Sequence, residues 1–221
     1  MKYTETTKPG LGDPYWYEWS VGLRYAIDML VPDSGIESVE FQPNLSLGLD
    51  DIAVNYSSGS LLCIQVKHTR VSDTFTFGDL VSTTSGGTSL LGELAQSWNK
   101  EKENHKRIQI LIATNRVAGN RKSSTSTPVF IERPSLKWFF PQLMKRVENA
   151  AQFCDIQFPE YPKAWEEWTA QLSYIDNDAD KLSFLKCFHI DTGMEGLPEI
   201  EKALVIRIKE VFQTNEHVAD Y

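Results

Sequence analysis

An α/β fold with a central mixed β-sheet flanked by helices is what this sequence predicts, and three observations carry that reading. Two runs rich in valine and isoleucine, "DDIAVNY" and "SLLCIQVKHT", are separated by "SSGS", the pattern of a β-hairpin. The stretch "LLGELAQSWNK" has helical apolar spacing and leads into the strongly apolar run "RIQILIAT". A strand reached through a crossover helix pairs in parallel, so the sheet is mixed. Helical periodicity also dominates the start of the chain and most of its length beyond residue 133.

Taken in order, residues 1–12 read as a loose tail. Asp13-Pro14 combines an N-cap acid with proline at the first helical position, and the helix runs through "PYWYEWSVGLRYAIDMLV" to Pro32. Its face Trp16, Trp19, Leu23, Ile27, Leu30 is predicted to pack, and the opposite side is apolar enough to touch protein too. "ESVEFQP" reads as a strand ended by Pro43. The hairpin comes next, then "TFTFGDL" as an extended piece with a turn, and "STTSGGTS" as a loop. "RIQILIAT" is predicted to be buried on both faces. "NRVAGNRKSSTSTP" reads as polar loop, "LKWFFPQLMKRVENAAQF" as a helix kinked or broken at Pro141, and "SFLKCFHID" as a strand between two further helices. All six tryptophans are read as packing residues. The chain divides into a core at 13–132 and a mostly helical C-terminal extension at 133–221, within one domain.

With 221 residues, 41% of them hydrophobic and 24% charged, the chain has ordinary globular composition. No apolar run reaches the ~20 residues that span a bilayer, which predicts no membrane partner. The first residues lack the apolar core of a signal peptide, and Cys63, Cys154 and Cys187 have no CxxC spacing; a reducing cytoplasm is the expected setting. Cys63 reads as a buried thiol. The net charge of −8 argues mildly against a general polyanion binder. Basic residues nevertheless cluster at Lys67, His68, Arg70 and again from Lys100 to Lys122. No phosphate-binding glycine loop, serine-hydrolase elbow, HExxH or zinc spacing is present.

The hairpin carries the chemistry. Strand side chains alternate faces, so Ile52 and Val54 share one face with Ile64 and Val66. Asp51, Gln65 and Lys67 then project together from the other face, and Asp50 points away or lies in the turn. A carboxylate, an amide carbonyl and the Val66 backbone carbonyl are hard oxygen donors suited to Mg²⁺ or Mn²⁺. Lys67 beside such a cation suits it to orient a water and to stabilise charge on a phosphate. The same three residues also fit a plain wet strand face. His68 faces the apolar side and reads as a packed histidine. Glu18 on the first helix and Glu40 on the polar face of its strand are further candidates.

The ordered set of helix, strand, Asp51-bearing strand, Gln65-x-Lys67 strand, helix and apolar strand resembles the PD-(D/E)xK nuclease superfamily. "DDIAV…IQVKHT", "FTFGDL", "LLGELAQSW" and "LIATNR" resemble more closely one branch of it, over roughly residues 13 to 215. That branch is the N-terminal double-strand DNA nuclease domain of bacterial anti-phage effectors, fused to cyclic-oligonucleotide-sensing SAVED domains in CBASS systems or to STAND-type NTPase sensors of the Avs type. The resemblance implies a restriction-endonuclease-like sheet, Mg²⁺ or Mn²⁺ as cofactor and double-stranded DNA as substrate. It also implies a bacterial cytoplasmic setting, a homo-oligomer when active, and a sensor domain in the same polypeptide or complex, with this chain as the N-terminal nuclease domain. Carried over residue by residue, the catalytic acid falls on Asp51, the second acidic position holds Gln65, and the lysine is Lys67. The metal ligands become Asp51, Gln65 and the Val66 carbonyl, with Glu18 and Glu40 in reserve. Glutamine in place of the commoner glutamate lowers the charge of the site and implies weaker metal binding before DNA arrives. Phosphate contacts are expected from Lys100, Lys102, Lys106, Asn115, Arg116 and Lys122. The alternatives are a nuclease-like module that binds DNA or protein without cutting, and an RNase or repair nuclease with the same site.

Overall fold

The computed structural model describes residues 13–45, 48–70, 73–83, 87–125 and 130–212. The expected tail at 1–12 lies outside them, as do residues 84–86 of the "STTSGGTS" loop. A five-stranded mixed sheet organises the molecule. Its strands are β1 (Ile36–Phe41), β2 (Ile52–Tyr56), β3 (Ser60–Lys67), β5 (Arg107–Thr114) and β9 (Phe188–Thr192), in that spatial order. β1, β2 and β3 are antiparallel; β3, β5 and β9 are parallel. The β2–β3 turn closes through Gly59, whose N–H donates to the Tyr56 carbonyl at 2.8 Å and whose φ of +81° favours glycine. The crossover between β3 and β5 contains α3 (Leu90–Glu101), capped by Ser89 accepting the Gly92 N–H at 3.0 Å.

Helices cover both faces. On one, Tyr17, Val21 and Ile27 of α1 (Asp13–Met29) and Ile200 and Leu204 of α7 (Leu197–Phe212) pack on Ile52, Val54 and Ile64. On the other, α3 joins α4 (Leu136–Asn149), α5 (Pro162–Ala170) and α6 (Asp178–Cys187) over Ala53, Cys63, Ile110 and Ile112. β5 is therefore buried on both faces, as its run of isoleucines predicts. Cys63 is a buried thiol whose pKa burial pushes up to about 12. The C-terminal part is mostly helical, yet it adds β9 to the sheet and α7 to one face. Among the described residues no helix is long and apolar enough to cross a membrane.

Several local expectations differ from the elements that form. "TFTFGDL" splits into β4 (Thr74–Phe75) and a short helix α2 (Phe77–Val81), because Thr76 and Asp79 make a capping box. The expected polar loop after β5 contains β6 (Val117–Ala118) and β7 (Ser123–Thr125), paired with β4 and with β8 (Ile131–Arg133). "SFLKCFHID" is helical through Cys187, and only its second half is strand. Pro141 does not end α4, which runs through it from Leu136 to Asn149. It removes one N–H from the helix, but Phe139, Leu143 and Val147 recur on one buried face and hold the helix on either side.

The tryptophans also divide. Trp98, Trp165 and Trp168 are buried, whereas Trp16, Trp19 and Trp138 are exposed. The buried side of α1 is Tyr17, Glu18, Val21 and Gly22; the predicted packing face leaves Leu23 and Leu30 in solvent with Trp16 and Trp19. The reason is Gly22. A Cβ there would lie 2.3 Å from Cε1 of Phe41, so α1 meets β1 most closely at its glycine, with the exposed Trp19 only edge-on to the Phe41 ring at 6.4 Å between centroids.

Candidate active site

Ile52 pairs with Ile64 at the end of the β2–β3 ladder, so Asp51 lies opposite Gln65 one step beyond it. The Gln65 amide Nε2 donates to Asp51 Oδ2, and the Val66 N–H donates to the same oxygen at 2.7 Å. Gln65 is buried. Burial raises the Asp51 pKa, with Asp50 adding to the shift; the Val66 N–H, the Lys67 charge and the Gln65 amide work against it. Asp50 stays in the turn, accepting the Gly48 N–H at 3.1 Å. The hairpin thus brings Asp51 and Gln65 into contact, with the Lys67 charge near enough to act on Asp51. Lys67 is half-buried, near enough to favour the charged forms of Asp51 and Glu18, and forms no ion pair with either.

Glu18 joins the group from α1. It is only 8% exposed, and its Oε1 is buried without a hydrogen-bond partner among the described residues. Burial pushes its pKa up to about 7, the Asp51 and Asp50 charges add to this, and the Gln42 amide and Lys67 oppose it. Gln42, which no sequence motif singles out, reaches this place through a φ of +49°, strained for a non-glycine residue; its N–H also donates to the Asp51 carbonyl at 2.8 Å. The one signal for it is its position before Pro43, at the end of a strand.

The segment after Lys67 is tied down. Thr114 Oγ1 donates to the Lys67 carbonyl. Asn115 clamps Thr69 from both sides, accepting its N–H at 3.0 Å and donating to its carbonyl at 2.6 Å. His68 stacks on Tyr17 with ring centroids 4.3 Å apart, and burial lowers its pKa, so it is a packed histidine as expected. The Tyr17 hydroxyl donates to the Glu195 carbonyl at 3.0 Å.

Other predicted residues lie elsewhere or are engaged. Glu40 is exposed on the edge strand and accepts from Asn55 at 2.9 Å, away from Asp51. Asn115 spends its amide on Thr69. Arg116 is committed to Asp73 at 3.0 Å and Asp79 at 3.2 Å, with its guanidinium over the Phe75 ring. Lys122 is exposed and pairs with Glu132 at 3.2 Å. Lys100 is exposed on α3. Lys102 pairs with Asp180. The Lys106 N–H donates to the Gly59 carbonyl, which places Lys106 at the far end of β3 from Lys67. Lys102 and Lys106 are not gathered around the acids, because parallel pairing of β3 and β5 puts the residues after α3 beside Ser60; Arg116 follows β5 at the Lys67 end but is held by Asp73 and Asp79.

Among the described residues no three His, Cys, Asp or Glu side chains group tightly enough to hold a metal by themselves. The donor set nonetheless fits a divalent cation. Burial holds the buried Glu18 and the half-buried Asp51 above their ordinary pKa, Asp50 adds to both shifts and Asp51 to that of Glu18, and Glu18 Oε1 lacks a partner among the described residues. A hard cation relieves both. Asp51, Glu18, the Gln65 amide oxygen and the Val66 carbonyl would hold it. The carbonyl leaves β3 on the same edge as the Val66 N–H, where β2 no longer pairs.

No protein-family model matches the chain, and no curated protein matches it. Among solved structures it is similar to the Acinetobacter baumannii Cap4 SAVED/CARF-domain containing receptor with the cyclic trinucleotide 3'3'3'-cAAA, at 10% identity and a TM-score of 0.45. It is similar to the same receptor in a second structure, at 10% identity and a TM-score of 0.43. The match covers 95% of this chain in both cases, and 39% and 38% of the receptor chains, so the chain spans about two-fifths of their length.

Proposed function

We propose that this chain is a divalent-metal-dependent endonuclease that hydrolyses phosphodiester bonds in double-stranded DNA. One observation carries the reading: Asp51, Gln65 and Lys67 converge at one end of the sheet with a buried Glu18 whose Oε1 has no partner. A Mg²⁺ or Mn²⁺ ion bound there supplies Lewis-acid stabilisation of charge developing on the phosphoryl oxygens. The chain's own residues do the rest. Asp51 is fixed by the Val66 N–H and the Gln65 amide, so its free oxygen is aimed without reorganisation. Lys67, half-buried and in no ion pair among the described residues, donates to a non-bridging phosphate oxygen and orients the attacking water. Thr114 and Asn115 hold the backbone at that lysine and just after it. Gln65 in place of an acid avoids a third buried carboxylate beside Asp51 and Glu18.

The sequence resemblance extends the proposal to the context. The chain would serve as the nuclease domain of an anti-phage effector, with a sensor domain in the same polypeptide or complex. One metal site cuts one strand, so a double-strand break needs two sites, most simply on a symmetric pair of chains. Raising local concentration then raises activity.

The decisive experiment is plasmid cleavage with Mg²⁺, Mn²⁺ or EDTA, comparing wild type with Lys67→Ala, with a folded RNA as a second substrate. Metal-dependent linearisation that Lys67→Ala abolishes supports the reading. Equal cleavage by the variant, or cleavage of RNA alone, overturns it. Cleavage rate against protein concentration, before and after fusion to a constitutive dimer, tests the pairing; full specific activity as a strict monomer contradicts it.

A further inference from the structure

Lys102 and Lys106, which do not reach the acids, line a pocket of their own. β3 and β5 run in parallel, with Ser60 beside Arg107 at one end and Lys67 beside Thr114 at the other. Seven residue steps at about 3.3 Å each separate these ends by roughly 23 Å. At the Arg107 end a pocket of about 280 Å³ opens between the last turn of α3, the start of β5 and the last turn of α6.

Its lining has two chemistries. Trp98, Ile108 and Cys187 are buried and form an apolar floor. Around it stand Lys102, His105, Lys106, Arg107 and Lys186. Lys102 is neutralised by Asp180 and lies 5.7 Å from the centre of the Trp98 ring. The carbonyl ends of α3 and α6 both point here, and a lysine at each, Lys102 and Lys186, offsets them. Lys106 and Arg107 remain in excess. Both are exposed, and neither belongs to an ion pair among the described residues. Lys106 lies along Gly59, with its Cδ 3.2 Å from where a Cβ would stand, so its stem is supported at the rim.

We infer that this pocket binds the phosphate monoester of a nucleoside. The apolar floor takes a flat ring, and the Lys106–Arg107 pair takes the phosphate, the arginine through its two-pronged guanidinium. The volume is at the small end of ligand pockets and suits one nucleotide. The ligand is a free mononucleotide or the phosphorylated end of a strand; the two share this chemistry. The site is independent of the acidic end and of the reaction proposed there.

Isothermal titration of the 221-residue chain with AMP, adenosine and inorganic phosphate tests this. AMP should bind, with adenosine and phosphate each at least about tenfold weaker. Arg107→Gln and Lys106→Gln should each weaken AMP about tenfold, the size of one lost charge-assisted contact. Asp51→Asn should leave AMP affinity unchanged. Both rim side chains are exposed, so the unliganded melting temperature of their variants should match wild type. A 5′-phosphorylated dinucleotide set against its 5′-hydroxyl form separates the two sources: preference for the phosphorylated dinucleotide over AMP identifies a strand end, and the reverse a free nucleotide. No binding at millimolar AMP overturns the inference. So does equal binding of phosphate alone, or full AMP affinity in Arg107→Gln. Metal-dependent cleavage by Arg107→Gln is a separate readout, so failure here leaves the proposed activity standing.

Discussion

The two ends of β3 carry opposite charge in opposite surroundings. Around Lys67, Glu18 is buried, Asp50 and Asp51 are partly so, and Glu18 and Asp51 are held above their ordinary pKa. Around Arg107, the cations in no ion pair among the described residues, Lys106 and Arg107, are exposed. Like charges on a wet surface cost little, so a basic run in a sequence says little about what binds it. Crowded acids taken out of water are expensive, and they persist where a partner completes them. The acidic end is therefore the stronger functional signal, although the chain's basic clusters are easier to see. What marks the basic end is its concave shape over an apolar floor.

The sharpest way to separate the ends is a reciprocal pair of variants. Lys67→Ala should lower plasmid cleavage by at least about 100-fold, the size of one lost transition-state donor. It should leave the melting temperature nearly unchanged, since a half-buried, unpaired lysine holds little of the core. Arg107→Gln should cut plasmid DNA at the wild-type rate. Comparable losses from both would merge the two ends into one DNA-binding surface.

Gly22→Ala addresses what holds the acidic end together. The added Cβ meets the Phe41 ring at 2.3 Å, so either that ring is displaced or α1 moves off β1. We expect a loss of about 1–3 kcal/mol on denaturant unfolding. Cleavage should fall as well, because Glu18 rides on the same turn of α1; the basic pocket should keep its affinity for AMP. Unchanged cleavage in a destabilised variant would remove Glu18 from the site.

Strand parity made Asp51, Gln65 and Lys67 legible in the sequence, because alternation is a local rule and the hairpin has a short turn. The parallel β3–β5 pairing came from the crossover helix. Long-range geometry was not legible. Nothing local says that α1 would meet β1 through Gly22, so the tryptophan stripe looked like the packing face. The basic run after α3 looked close to Lys67 in chain order, but parallel register sends it to the opposite end. Arg116 and Asn115 looked like phosphate ligands at a strand end; their partners, Asp73, Asp79 and Thr69, lie on a different segment. The strained Gln42 had no signature beyond the proline after it.

Glu18 supplies a pH test of intermediate size. Its folded pKa of about 7 stands above the ordinary 4.5, so between those values the folded chain holds a proton that the unfolded chain has released. This contribution to stability is present below pH 4.5 and is lost as pH rises through 7. Glu18→Gln removes the penalty. Without metal, the variant should gain stability over wild type as pH goes from about 5 to about 8, by on the order of 2 kcal/mol. Mg²⁺ should stabilise wild type more at about pH 8 than at about pH 5.5, since the ion and the proton compete for one carboxyl, and should do little for the variant. Thermal melts at the two pH values, with Mg²⁺ and with EDTA, read all of this. A Mg²⁺ effect independent of pH would exclude Glu18 as a ligand.

The smallest expected effect belongs to Asp50→Asn. Asp50 sits in the turn before β2 and accepts the Gly48 N–H, a bond that the asparagine oxygen can keep. The change is one of charge. Asp50 adds to the upward shifts of both Glu18 and Asp51, though in each case less than burial does. Removing it should move the pH midpoint of Mg²⁺ stabilisation downward and change cleavage by no more than about threefold, a fraction of what one direct ligand contributes. Asp51→Asn should instead nearly abolish cleavage, since it replaces the carboxylate fixed by Val66 and Gln65. The order of these two neighbours is what strand alternation predicts, and a single plasmid assay measures it. If Asp50→Asn is the more damaging change, the metal lies on the turn side of β2, and Gln65 and Lys67 do not act on the phosphate it holds.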